Sequence, residues 1–112
     1  MADRVVAFVL FPGVTMLDLV GPLTVLEQLP PPFRTTVVGA RIEPMPTEAG
    51  IAVTPQQCFA DVPAPHVLVV PGGPGALTAM VDDRVQAYVR ASAETAAIVT
   101  SVCTGALVLA RT

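Results

Sequence analysis

Residues 4–13 read RVVAFVLFPG, from Arg4 to Gly13, and this stretch decides the fold class. Val5 to Phe11 is an unbroken apolar run, rich in β-branched and aromatic side chains and closed by Pro12-Gly13. A strand with one wet face alternates apolar and polar residues. A strand covered on both faces reads as a continuous apolar run, the mark of a parallel sheet. A secretion signal would need a basic start and a small-residue cleavage pattern, but Asp3 stands where the positive charge belongs and the run ends in Pro-Gly. The stretch therefore predicts a buried strand.

Further along the chain, Thr15-Met16-Leu17-Asp18 spells a capping box and predicts a helix to about Leu29, stopped by Pro30-Pro31-Pro32. Phe33 to Gly39 (FRTTVVG) predicts a second strand. From Ile42 to Pro55 a Glu48-Ala49-Gly50 turn lies between short extended pieces, a small hairpin or arm. His66 to Val70 (HVLVV) predicts a third buried strand, ending in Pro71-Gly72-Gly73-Pro74-Gly75. A helix follows from Arg84 to about Ala96, N-capped by Asp82 or Asp83. Next come a fourth buried strand at Ile98 to Val102 (IVTSV) and a helix from Thr104 onward. Strands alternating with helices of this length imply βαβ units. The expected fold is α/β, a doubly wound, flavodoxin-like, mostly parallel sheet with helices on both faces, in a single domain over residues 1–112. The last helix has run about two turns when the sequence reaches Thr112, which leaves Leu107 and Val108 without evident partners. The C-terminal part of the domain is therefore expected to be missing, and the 112 residues alone are expected to expose apolar surface and dissolve poorly.

Composition narrows the function classes. Hydrophobic residues make up 53% of the 112 and charged residues 13%, against about 25% charged in an ordinary domain. The chain has apolar surface to bury in a covered sheet or against a partner. A net charge of −3, with its Arg residues scattered singly, gives neither the basic stripe of a nucleic-acid binder nor a patch for anionic lipid. No stretch approaches the roughly 18 apolar residues of a bilayer span. Two cysteines, Cys58 and Cys103, make no disulfide framework, and isolated thiols fit the reducing cytoplasm.

The chemistry concentrates at Ser101-Val102-Cys103-Thr104-Gly105. A strand runs straight into a helix with a nucleophilic side chain at the junction and small residues two places to either side. That is the spacing of a G-x-S-x-G elbow, whose tight turn tolerates little bulk there. A thiol at a helix start meets unpaired N–H groups and the positive end of the dipole, which favour a thiolate. A small buried cysteine at a strand end is the competing reading. Gly72 and Gly73, past the third strand, lie on the edge where doubly wound sheets bind ligands, and they could offer N–H groups to a developing oxyanion. As an ordinary Gly-Pro loop they would do nothing. Asp18 shares that edge. Its role as the acid of the Thr15 capping box is sufficient by itself, and the alternative is a proton donor and acceptor beside the thiol. His66, the single histidine, begins the third strand and so lies at the wrong end to serve Cys103 as a base. Cys58, in a loop before Phe59, reads as structural. No metal cluster, phosphate loop or dinucleotide fingerprint is spelled.

Taken together, LFPGVTMLDLVGPLTVL (residues 10–26), VLVVPGGPGA (67–76) and IVTSVCTGALVLA (98–110) resemble the ThiJ/PfpI superfamily, with its class I glutamine amidotransferase-like fold. Within it the isocyanide (isonitrile) hydratase branch is most similar. The resemblance runs in order from the first strand to the elbow, and LDLVGP with SVCTG are its most specific parts. It implies catalysis without metal or cofactor. The family's nucleophile falls on Cys103, its acidic partner on Asp18 and its neighbouring threonine on Thr104. The implied reaction passes through a thioimidate on Cys103 to an N-substituted formamide. The resemblance also implies a small-molecule isocyanide as partner, no nucleic acid or membrane, and a homodimer when full length. Complete members continue well past the elbow and commonly carry an acidic residue where His66 stands. The same spellings occur in the ligand-sensing N-terminal domains of AraC-type transcriptional regulators, the alternative class. Glyoxal-handling relatives usually use glutamate as the acidic partner, so Asp18 weighs against them.

Overall fold

In the computed structural model, which describes residues 3–111, the strand of residues 4–9 lies at the centre of the sheet, as its unbroken apolar run demands. The elements along the chain are β1 (Arg4–Val9), α1 (Met16–Leu26), β2 (Phe33–Gly39), β3 (Met45–Pro46), β4 (Ala52–Val53), β5 (Gln57–Cys58), β6 (Val67–Val70), α2 (Ala76–Met80), α3 (Asp83–Thr95), β7 (Ile98–Ser101) and α4 (Gly105–Arg111). One 3-10 turn, Phe59–Asp61, follows β5. The main sheet has the order β5-β2-β1-β6-β7, and every pair in it is parallel. β1 matches β2 from Arg4↔Phe33 to Val9↔Val38, and β6 matches β7 from Val67↔Ile98 to Val70↔Ser101.

The chain winds both ways from β1. The α1 crossover steps to β2 on one side, while α2 and α3 carry it from β6 outward to β7 on the other. Parallel crossovers are right-handed, so opposite steps put their helices on opposite faces. The α/β fold with a doubly wound parallel sheet is therefore as expected. β1 and its extension to Phe11, with Val37, Val38, Leu68, Val69 and Val70, form the buried middle. Leu19 covers it from α1, Val85 and Val89 from α3. Phe8 is fully enclosed, and truncating such a phenylalanine to alanine costs about 3–5 kcal/mol.

Several expectations change. β1 ends at Val9 and α1 at Leu26, a few residues short of Phe11 and Leu29. The short α2 and β5 carry too few residues to show a period. β7 is not a buried strand: it is outermost in the sheet, with Ile98 55% and Val99 37% exposed, because nothing among the described residues lies beyond it. Val108 does have partners. It is fully buried in the core on α4, while Leu107 beside it is 41% exposed. The hairpin at residues 42–55 forms as β3 and β4, paired antiparallel at Met45↔Val53 and Pro46↔Ala52. Among the described residues, no helix is long and apolar enough to cross a membrane.

Candidate active site

The carboxyl ends of β1, β6 and β7 meet on one edge, and three turns pack against each other there. β7 stops at Ser101 and α4 starts at Gly105, so Cys103 occupies the tight junction. Its φ is +52°, the one left-handed non-glycine among the described residues, and its side chain lies on the exposed surface. Gly105 has to be a glycine here. A Cβ would overlap the Val70 carbonyl oxygen and come within 2.8 Å of the Pro71 oxygen. The small residue two places after Cys103 thus lets α4 start against the end of β6.

The Pro71–Gly75 loop forms the next layer. A Cβ at Gly72 would stand 2.6 Å from Thr104 Oγ1 and 2.7 Å from its backbone nitrogen, so the loop touches the turn directly. Gly73 N–H donates to Thr104 Oγ1 at 2.9 Å. That N–H, expected to await an oxyanion, is engaged by the threonine hydroxyl instead. A cleft of about 350 Å³ opens beside Cys103 and Thr104, with apolar walls from Pro74, Ala76, Leu77 and Leu107.

The third layer is the start of α1. Thr15 has the extended backbone of an N-cap, yet its side chain makes no cap bond. The reason is tertiary. Its N–H donates to the Gly72 carbonyl at 2.9 Å, and the Met16 N–H donates to Glu48 Oε1 at 3.0 Å. The capping box spelled by Thr15 and Asp18 therefore does not form, and Asp18 Oδ2 is buried with no hydrogen-bond partner among the described residues. Pro22, inside α1, also removes the N–H that would have bonded the Asp18 carbonyl four residues back. The structure brings Cys103, Thr104, Gly72 and Gly73 into one cluster. Asp18 sits on the same edge, one helical turn past the Thr15–Gly72 contact, and no hydrogen bond joins it to Cys103.

His66 lies at the amino end of β6, where its carbonyl accepts from Ala97 and Ile98 and its ring meets Phe33 edge-on at 6.1 Å. The strand's length separates it from Cys103, as expected. Cys58 closes β5 rather than lying in a loop. Its thiol and its N–H both donate to Asp61 Oδ2 at 3.1 Å, which holds the Asp61 carboxyl below the usual aspartate range. No cluster of three or more His, Cys, Asp or Glu stands ready for a metal among the described residues. Sequence reasoning missed Glu48, whose partner lies 32 residues away, and the walls Leu77 and Leu107. Only a contact map could have flagged them.

Comparison with known proteins bears on the family and the fold. Residues 4–112 match the DJ-1/PfpI family. An isonitrile hydratase from Pseudomonas putida is 40% identical over 104 residues, covering 93% of this chain and 45% of the relative. The crystal structure of a ThiJ/PfpI family protein from Pseudomonas syringae superposes with a TM-score of 0.92 at 33% identity, over 99% of this chain and 46% of that one. Drosophila melanogaster DJ-1beta shares the fold, with a TM-score of 0.84 at 22% identity, over 99% of this chain and 60% of its own. The chain thus spans about half the length of the curated relative it matches.

Proposed function

The chain belongs to the DJ-1/PfpI family, and from that premise we propose that it carries isocyanide hydratase-like chemistry, adding water to an isocyanide to give an N-substituted formamide. The observation that carries this reading is a pair: an exposed Cys103 thiol on a left-handed turn, and a buried Asp18 oxygen that no other group holds. Both lie on the edge from which the single histidine is excluded, and in this reading the carboxyl is the acid–base group. The 40% identity to an isonitrile hydratase supports the substrate class.

Cys103 Sγ, as thiolate, attacks the terminal carbon of R–N≡C while the protonated Asp18 carboxyl gives that carbon its proton. The product is a thioimidate, R–N=CH–S–Cys103. The Asp18 carboxylate then takes a proton from water as the hydroxide adds to the same carbon. The hydroxyl proton passes to nitrogen, the C–S bond breaks, and R–NH–CHO leaves with the thiolate and the protonated Asp18 restored. Gly72 and Gly73 N–H groups would meet the transient oxyanion, Gly73 once the Thr104 hydroxyl turns from it. The apolar walls Pro74, Leu77 and Leu107 suit a hydrocarbon R group. No metal or cofactor enters these steps. The reading also takes the protein as cytoplasmic, where an unpaired thiol stays reduced.

The test is formamide production from an alkyl isocyanide. Cys103→Ala should abolish it, and Asp18→Asn should lower kcat about 10²–10⁴-fold, the range for a lost general acid–base group. A folded wild-type protein that binds isocyanide without turning it over would shift the reading to the ligand-sensing class.

A further inference from the structure

Helix α1 starts with a cap that its own sequence does not supply. The first N–H groups of a helix lack partners within it, and the Thr15…Asp18 spelling offers local oxygens for them. Neither is used. Met16 N–H instead donates to Glu48 Oε1 from the β3–β4 hairpin, and a carboxylate suits the positive end of a helix. The hairpin is fastened in place for that contact. Gly13 N–H donates to the Pro46 carbonyl at 2.8 Å, Glu48 N–H to the Val14 carbonyl at 3.0 Å, and Val14 bridges Thr47. Thr47 is buried, and its N–H and hydroxyl both bond the Ile51 carbonyl, at 3.0 and 2.7 Å, which sets the turn that presents Glu48.

We propose that Glu48 is a positioning residue: by capping α1 from the hairpin it leaves the Asp18 carboxyl uncommitted and free to exchange protons with substrate. This rests on the reading of Asp18 as the proton-transfer group. Without Glu48, the freed Met16 N–H draws in the carboxylate of Asp18, the third residue of the helix, while the Thr15 N–H stays on the Gly72 carbonyl. An acid engaged with its own backbone is turned away from the reacting carbon. The geometry of Asp18 governs proton transfer and not binding, so loss of Glu48 lowers kcat and spares KM. The apolar cleft that would bind the R group lies on other elements.

Two measurements test it. In isocyanide turnover, Glu48→Ala should lower kcat about tenfold with KM within about twofold. Glu48→Gln, whose amide oxygen can still accept from Met16, should restore most of the rate. In thermal melts, Asp18→Ala should leave Tm nearly unchanged in the wild-type background, because Asp18 caps nothing there. In the Glu48→Ala background it should lower Tm by about 4–8 °C, the loss of an N-cap in a domain of this size. Additive melting shifts, or a Glu48→Gln variant as impaired as Glu48→Ala, would overturn the proposal. If the folded protein turns over no isocyanide, the functional reading fails, while the melting cycle still decides the role of Glu48.

Discussion

Cys103 holds a φ of +52°, a conformation that costs an L-residue about 1–2 kcal/mol and persists only where its surroundings impose it. Gly105 is the main imposing neighbour, since its missing side chain lets α4 begin against the backbone of Val70 and Pro71. Backbone oxygens cannot rotate away, so Gly105→Ala should force α4 outward and cost about 1–3 kcal/mol or more, read as a fall in the thermal midpoint. Gly50→Ala is the control. Gly50 also has a positive φ, +81°, but open space around it, so only the left-handed strain of about 1 kcal/mol applies. Equal melting shifts in the two variants would mean that α4 is not pressed against β6. The junction was legible in the sequence because the thiol and its small flanking residues lie within five consecutive residues, Ser101 to Gly105. The state of Asp18 was not. Its spelling favours a cap, and what releases it from that duty is the Gly72 carbonyl and the Glu48 carboxylate, both contacts between distant segments.

Among the elements, α3 shows local chemistry deciding between two readings. Asp82 and Asp83 were equally plausible caps, and Asp82 Oδ1 accepts from Arg84 N–H at 2.9 Å and Val85 N–H at 3.1 Å. Asp82→Ala should cost about 1 kcal/mol, and Asp83→Ala a few tenths through the helix dipole; chemical denaturation separates them. Further along α3, Tyr88 stacks on Phe59 with centroids 4.2 Å apart, and its hydroxyl donates to the Val62 carbonyl at 2.8 Å. Burial pushes its hydroxyl up from 10.0 to about 12, because the phenolate would be desolvated. The neutral form is therefore favoured in the folded chain. The stability this contributes is complete below pH 10 and is lost as pH rises towards about 12. Unfolding midpoints measured across that window should fall for the wild type and flatten for Tyr88→Phe, which loses the hydrogen bond at every pH instead. Apolar runs made β1 and β6 readable in advance, and the β-branched stretch from Thr35 to Val38 did the same for β2. The same signal misplaced β7, because a run of apolar residues does not say which strand ends up outermost.

Taken whole, the chain exposes 5835 Å², and a compact monomer of its mass exposes about 5,800 Å². Its radius of gyration of 12.6 Å is close to the roughly 13 Å expected for its length. The amount of surface is thus ordinary, and the apolar exposure expected from the sequence is present in it as large apolar side chains. Leu17 and Val25 stand out from α1, Ile98 and Val99 from β7, Leu77 from α2 and Val81 from its C-terminal end. β7 matters most, since an outermost strand presents unpaired N–H and C=O groups together with those side chains, the combination that recruits another chain. A charge at that edge blocks such pairing while leaving the core untouched. Ile98→Lys should therefore change the thermal midpoint little, as exposed substitutions stay within about 0.5 kcal/mol. Sedimentation velocity over a range of concentrations should show less association for the variant than for the wild type. A midpoint several degrees lower would mean that Ile98 is packed rather than exposed, and unchanged association would move the sticky surface from β7 to the outer face of α1.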